Sequence, residues 1–390
     1  MKTTRITRID LTPLYVPFHQ HIRDLMSRGA GGLGMAIPAE EEWLGGDFVI
    51  CALHDDEGRA GWGEAFVWLP ETGASPDQII DIIRASLSRY VIGESPFNVE
   101  KIMHRMESNV ARCEVAKGLL DMACYDLAAR TVGVGACELM GGACTHELPL
   151  CALVPLMETA SMLEIGRMFY EEGYRSFRLK LGTNINDDIE KVRSFRETFG
   201  SGIRLRIDYN QAYPAADAVR AIRAIEAYGI DFAEQPVRAT DFLGMAEVQR
   251  LVSTPVMAHE GCFSLRDFIT LAQLGAVRVL GLNSERPGGV TMALRAIAIA
   301  ESRGIGVVIH NQPLGIASAM HLHLAAARFH SLGHAVELLG HVMLEDDLII
   351  SPIDYTGGTA KLPDGPGWGV KPDMDALEKY RTAETTTITE

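Results

Sequence analysis

Apolar and polar residues alternate with a period of two from Ile6 to Val16. They do so again from Phe48 to His54 and from Gly61 to Phe66, with Asp55-Asp56-Glu57-Gly58 supplying a hairpin turn between these last two runs. Between the first two strands lies His19 to Gly46, which carries a Gly-Gly-Leu-Gly cluster and three consecutive glutamates. A connection that long inside a compact domain is usually functional or mobile. The period then becomes helical, in runs starting near Pro76, Asn98 and Glu114, the last placing apolar residues at helical spacing from Val115 to Leu127. Three strands followed by helices make an α+β unit.

From Leu148 onward short β-like runs alternate with helix-length segments. The expected strands are Leu148 to Pro155, Ser176 to Leu181, Arg204 to Asn210, Asp231 to Gln235, Val256 to Glu260, Val277 to Leu282, Gly306 to His310 and Ala335 to Leu339. Eight such strands, none followed by a dinucleotide-type glycine fingerprint, predict an α/β fold of the (β/α)8, TIM-like barrel type and not an open sheet. The Gly/Pro-rich tail around Leu362 to Gly369 is expected to pack back on the N-terminal unit. A chain of 390 residues exceeds the usual single domain. The predicted division is a capping domain over residues 1–135, a barrel over 136–355 and a C-terminal segment over 356–390 that completes the cap.

Composition narrows the class of function. A formal charge of −15 opposes nucleic acid and anionic lipid as partners. No apolar stretch approaches the roughly 20 residues of a membrane span, and the start Met1-Lys2-Thr3-Thr4-Arg5 leads straight into strand-like sequence, so a cytoplasmic location is expected. Seven cysteines without a Cys-x-x-Cys pair indicate neither a disulfide framework nor a zinc knuckle.

The strand ends carry a ladder of polar residues: Lys180, Asp208, Glu234, Glu260, Asn283, His310 and Glu337. Such strand ends form the catalytic rim of a barrel. Taken singly, each acid is suited to cap the helix that follows it. Three carboxylates on neighbouring strands, Asp208, Glu234 and Glu260, would instead repel unless a cation held them, and all-oxygen ligation selects a hard ion such as Mg²⁺. Arg178 and Lys180 share a strand face by alternation, and the lysine can serve either as a general base or as a counter-ion to the acids. His310 ends the seventh strand, where catalysis competes with a purely structural role. Glu337 could hydrogen-bond a substrate carboxylate or pair with a cation. His321 and His323 fall in a helix-like segment that would splay them apart as metal ligands, and with His330, His334 and His341 they read as structural or surface residues.

Over essentially the whole chain these features resemble the enolase superfamily, in the branch of the mandelate racemases and muconate lactonizing enzymes. The resemblance rests on Lys117 to Leu127, Arg178-Leu179-Lys180, the acids Asp208, Glu234 and Glu260, Gly288-Gly289 and the Pro363 to Gly369 tail. It implies that Lys180 is a base, that the three acids bind Mg²⁺ and that the shared step removes the proton α to a carboxylate to give a metal-stabilised enediolate. It also implies a homo-oligomer, and a capping domain that closes over a small carboxylate substrate. The His19 to Gly46 stretch is then expected to contact substrate through Arg23, Arg28 and Trp43, with Glu40, Glu41 and Glu42 suited to a cationic group. Two positions depart from the family: Arg178 stands where a first lysine is usual, and Asn283 stands at the sixth-strand position that is lysine in lactonizing enzymes and aspartate in racemases.

The sequence reading accordingly favours a Mg²⁺-dependent acid dehydratase. In it Lys180 abstracts the α-proton, and His310, its tautomer set by Asn283, assists departure of hydroxide; Asn210 completes the polar surroundings. Racemisation or epimerisation between Lys180 and His310, and cycloisomerisation with Lys180 as sole acid/base, are the alternatives. A barrel metal hydrolase and a non-catalytic carboxylate binder are the readings from other classes.

Overall fold

The computed structural model describes residues 4–25, 43–311 and 313–390. Its first sheet contains β1 (Ile6–Pro17), β2 (Gly45–Asp55) and β3 (Ala60–Phe66), paired antiparallel through the expected turn. β1 and β2 place Ile9, Leu11, Val49, Cys51 and Leu53 at essentially full burial in one apolar layer, as alternation requires. The His19 to Gly46 stretch opens with a short helix, α1 (Gln20–Leu25). Arg28, Glu40, Glu41 and Glu42 lie outside the described residues. Helices α2 (Leu69–Thr72), α3 (Pro76–Ala85), α4 (Val99–Asn109) and α5 (Glu114–Val132) complete the unit. α5 is buried on nearly every face between the sheet and the barrel helix Gly289–Arg303, where Asp121 accepts from Thr291 N and Oγ1 at 2.9 and 2.6 Å.

β4 (Glu147–Pro149) precedes the barrel, whose strands are β5 (Cys151–Val154), β6 (Ser176–Lys180), β7 (Arg204–Asp208), β8 (Ala233–Glu234), β9 (Val256–Ala258), β10 (Val279–Leu282), β11 (Gly306–Asn311) and β12 (Glu337–Leu338). They form one parallel eight-stranded sheet in chain order. The Leu150–Val336 bridge, with Cys151 N bonded to Val336 O at 2.8 Å, joins its two ends. Each strand was expected, although β8 and β12 are two residues long and the first run splits at Leu150 into β4 and β5. Inward-facing Phe232, Met257, Val279 and Val308 form a separate apolar plug beneath the rim.

The tail returns to the cap as expected. β13 (Thr359–Lys361) pairs with β4, and the fully buried Trp368 donates its backbone N to Asp126 Oδ1 at 2.7 Å and its Nε1 to Trp62 O at 2.9 Å. β14 (Thr386–Thr389) adds an unexpected fourth strand beside β1. Its sequence Thr-Thr-Ile-Thr offers a single apolar residue, too little for a period-two signal.

His321 and His323 are buried in the helix Gly315–Ala327, and both ring nitrogens of His321 lack a partner. Burial pushes His321 down to about 3 and His323 to about 4. The unfolded chain therefore binds more protons below the ordinary histidine value near 6.5, so stability is present above that value and is lost as pH falls below it. Between pH 7 and pH 5, His321 alone should account for a loss of about 2 kcal/mol. Urea midpoints measured at both pH values should converge in His321→Leu.

Candidate active site

In the barrel register Lys180 lies beside Asp208, and Asp208 beside Glu234. Strand alternation turns all three inward, onto a cavity of about 20 Å³ whose walls include Lys180, Asp208, His259, His310 and Glu337. That volume holds one water or one ion.

Cationic side chains already answer the acids. Arg178 Nη1 donates to Asp208 Oδ2 at 3.1 Å and to Glu234 Oε1 at 3.0 Å, and its Nη2 forms a 2.6 Å ion pair with Glu337 Oε1 outside hydrogen-bond alignment. Arg206 Nη2 donates to Glu337 Oε2 at 2.6 Å. Glu337 is thus a partner of two arginines, the second of the two roles open to it. Lys180 Nζ donates to Asp208 Oδ2 at 2.6 Å and to Asn210 Oδ1 at 2.5 Å. Asn210, at a positive φ of 41°, also donates Nδ2 to Glu260 Oε1 at 3.1 Å and so links lysine to acid across strands.

The fifth strand end differs most from expectation. Met257 belongs to the inward apolar plug, and two residues on the same face lies His259, which lines the cavity. Its Nδ1 stands 3.5 Å from Glu234 Oε1 and 3.5 Å from Glu260 Oε2, and its ring centroid 4.1 Å from that of His310. Glu234, His259 and His310 present ligand atoms within 4.8 Å of one another, a grouping able to hold a metal ion. His259 Nδ1, Glu260 Oε2 and His310 Nε2 are buried without hydrogen-bond partners. Buried unpartnered polar atoms around a carboxylate are what a cation site presents, so the residues present fit a metal ion.

Electrostatics agree with a cation-seeking centre. Burial and then the Asp208 carboxylate push Glu234 upward, a penalty that an adjacent cation would relieve. Burial, followed by Arg286, holds His259 well below the usual histidine value, and burial, followed by His259, does the same for His310. Both rings are neutral at physiological pH.

Asn283 makes no hydrogen bond to His310. Its Oδ1 accepts from the backbone N of Glu285 and Arg286 at 3.0 and 2.8 Å, closing its own turn, and its Nδ2 has no partner. Arg23 is engaged by Glu345 Oε1 at 3.0 Å and by Gln20, and does not line the cavity. Trp43 acts at one remove: it stacks on Trp68 at 5.1 Å, and Trp68 precedes α2, which carries Glu71 to the cavity wall. Glu71 receives Arg286 Nη1, whose Nη2 meets His259 Nε2 at 2.5 Å. Neither Glu71 nor Arg286 was found from the sequence, because neither sits at the end of a barrel strand. His259 could have been found by extending the alternation of β9 by one step.

Gly281 makes room for both imidazoles. A Cβ there would meet Met257 Cε at 2.5 Å, His310 Nε2 at 2.9 Å and His259 Cδ2 at 3.2 Å. Gly281→Ala should displace His310 and lower turnover at least about tenfold, while costing only about 1–3 kcal/mol of stability. Steady-state kinetics beside urea unfolding would separate the two effects.

Known proteins bear on this geometry. Residues 162–376 match the family described as "Enolase C-terminal domain-like", and residues 43–141 match the "Mandelate racemase / muconate lactonizing enzyme, N-terminal domain". The chain is 28% identical to the N-succinyl-L-Arg/Lys racemase of Bacillus cereus, over 85% of this chain and 89% of that protein. It is 33% identical to a hydrophobic dipeptide epimerase of Enterococcus faecalis, over 71% and 78%. To muconate cycloisomerase 1 of Rhodococcus opacus it is 28% identical, over 85% and 90%. The crystal structure of the Bacillus cereus racemase superposes with a TM-score of 0.88 at 25% identity, covering 98% of this chain and all of that one. Cap, barrel and returning tail are thus shared along the full length, and the chain belongs to the mandelate racemase and muconate lactonizing enzyme family of the enolase superfamily.

Proposed function

We propose that the protein racemises or epimerises a small carboxylic acid by moving its α-proton between Lys180 and His310. The observation that carries this reading is an ammonium and a neutral imidazole on one cavity, on strands three places apart around the ring through the β5–β12 junction. His310 Nε2, free of partners, can accept a proton from one face of the α-carbon. Lys180, whose ammonium is held by Asp208 and Asn210, can deliver one to the other face. In the reverse direction the roles exchange. A divalent cation would be held by Glu234 with Glu260, His259 and Asp208 nearby, and when bound would supply positive charge where negative charge develops on the substrate carboxylate.

Elimination of water, the outcome favoured from the sequence, asks His310 to act as an acid. Its neutral resting state does not separate elimination from racemisation, which also makes it an acid in one direction; the relatives do. The relatives described above are a racemase, an epimerase and a cycloisomerase. Two of them are named for substrates with an acylated amino group, so N-acyl amino acids and dipeptides head the candidate panel. The test is α-proton exchange in D2O followed by NMR on both enantiomers of each compound. His310→Asn should lose exchange from one enantiomer and keep it from the other. Formation of a dehydrated product, or equal loss from both enantiomers, would count against the reading.

A further inference from the structure

We propose that the cation of this centre is held through an imidazole nitrogen, His259 Nδ1, and is therefore a first-row transition ion of the manganese-to-zinc series and not Mg²⁺. The proposal rests on the reading above in placing the ion where the proton is moved.

Three observations carry it. First, barrel geometry brings His259, and not Glu260, onto the cavity wall, because the inward face of β9 runs through Met257 to His259. Second, the unpartnered buried atoms around Glu234 include two imidazole nitrogens and one carboxylate oxygen, and His259 itself is 8% exposed. A nitrogen with no partner at such burial costs stability unless something binds it. Third, the spacings suit the ion. His259 Nδ1 lies 3.5 Å from Glu234 Oε1 and from Glu260 Oε2, so one ion can reach all three atoms. Mg²⁺ takes oxygen in preference to nitrogen, whereas imidazole suits manganese through zinc.

Of the three acids expected to hold Mg²⁺, two already receive hydrogen bonds from cations of the protein. Both Asp208 oxygens are bonded, Oδ2 by Lys180 and Arg178 and Oδ1 by Asn210 N, and both Glu234 oxygens accept from Arg178. Glu260 Oε2 receives no hydrogen bond.

Arg286 is the element that must yield. Its guanidinium only donates, so His259 Nε2 accepts from it and the ring proton sits on Nδ1. An ion on Nδ1 sends that proton to Nε2, where it faces a donor. Ion loading and the Arg286–His259 contact therefore exclude each other, and Arg286 is left to Glu71, which it already contacts through Nη1.

The experiment is Mn²⁺ loading of the metal-stripped full-length protein, followed by electron spin-echo envelope modulation and by titrations with Mg²⁺, Mn²⁺ and Zn²⁺. The wild type should show ¹⁴N modulation from a coordinated imidazole. His310→Asn should retain it. His259→Asp should still bind Mn²⁺ but lose the modulation, and its preference for Zn²⁺ over Mg²⁺ should fall at least tenfold. His259→Gln provides the same spectroscopic test should the aspartate variant not fold. Manganese bound without nitrogen modulation, modulation that survives loss of His259, or no manganese bound at all would each overturn the proposal. The α-proton exchange assay is read separately. Exchange with an all-oxygen ion would overturn only the nitrogen ligand, and a nitrogen-bound ion without exchange would overturn only the proton-transfer reading.

Discussion

Lys180→Ala should lower the interconversion of enantiomers by about three orders of magnitude, within the range of about 10²–10⁴ that a positioned acid or base supplies. Lys180 is 4% exposed and lines the cavity, so solvent cannot readily substitute for its amine. The variant should nevertheless stay folded. Asp208 Oδ2, which loses the lysine, keeps Arg178 at 3.1 Å, and Oδ1 keeps the backbone N of Asn210 at 2.9 Å, so no carboxylate is stranded. Exchange in D2O should fail from the lysine face and survive from the histidine face, the mirror image of His310→Asn. A variant within tenfold of wild type would remove Lys180 from the chemistry.

The largest loss of stability is expected from Arg178→Met. One buried guanidinium touches Asp208, Glu234 and Glu337, the last of which would retain only Arg206. Removing one partner from a buried ionic cluster costs about 3–5 kcal/mol, because the charges left behind are neither paired nor hydrated. Methionine keeps the approximate length of the side chain, so the loss isolates charge from volume. The pH dependence has a definite sign. Glu234 is pushed up by burial and Asp208 and is held back by Arg178; without the arginine its folded value rises further above the unfolded one. A carboxyl raised on folding stabilises most below its unfolded value and loses that contribution as pH rises through the folded one. The urea midpoint of the variant should therefore recover toward wild type on going from pH 8 to pH 6. A divalent cation bound only by the folded form should also restore part of it. Equal midpoints for variant and wild type at pH 8 would show that the cluster does not need its arginine.

These two substitutions separate roles that the chain itself leaves merged. From sequence, Arg178 and Lys180 are two cations on one strand face, and either could have been base or counter-ion. In the folded protein Arg178 spans three acids, while Lys180 reaches Asp208 and the cavity. Three carboxylates do not by themselves demand a metal here, since Arg178 and Lys180 already neutralise much of Asp208 and Glu234. What asks for an ion is the set of unpartnered atoms on His259, Glu260 and His310.

The chain by itself determined the eight barrel strands, the cap, the returning tail and most of the rungs that face the cavity. These follow from periods of two and 3.6 and from connection lengths, which are properties of neighbouring residues. Only the closed barrel decided which rungs meet. At β9 a single step of alternation distinguishes His259 from Glu260, and the strand ends at Ala258, one residue before the question arises. Asn283 sits on the ladder yet folds its side chain into its own turn. Glu71 and Arg286 lie 215 residues apart and meet at the cavity rim because the cap docks there. The threonines of β14 become a strand only because β1 offers an open edge. Local pattern sets which face a side chain leaves from; the stagger of the strands and the docking of the cap set what it encounters.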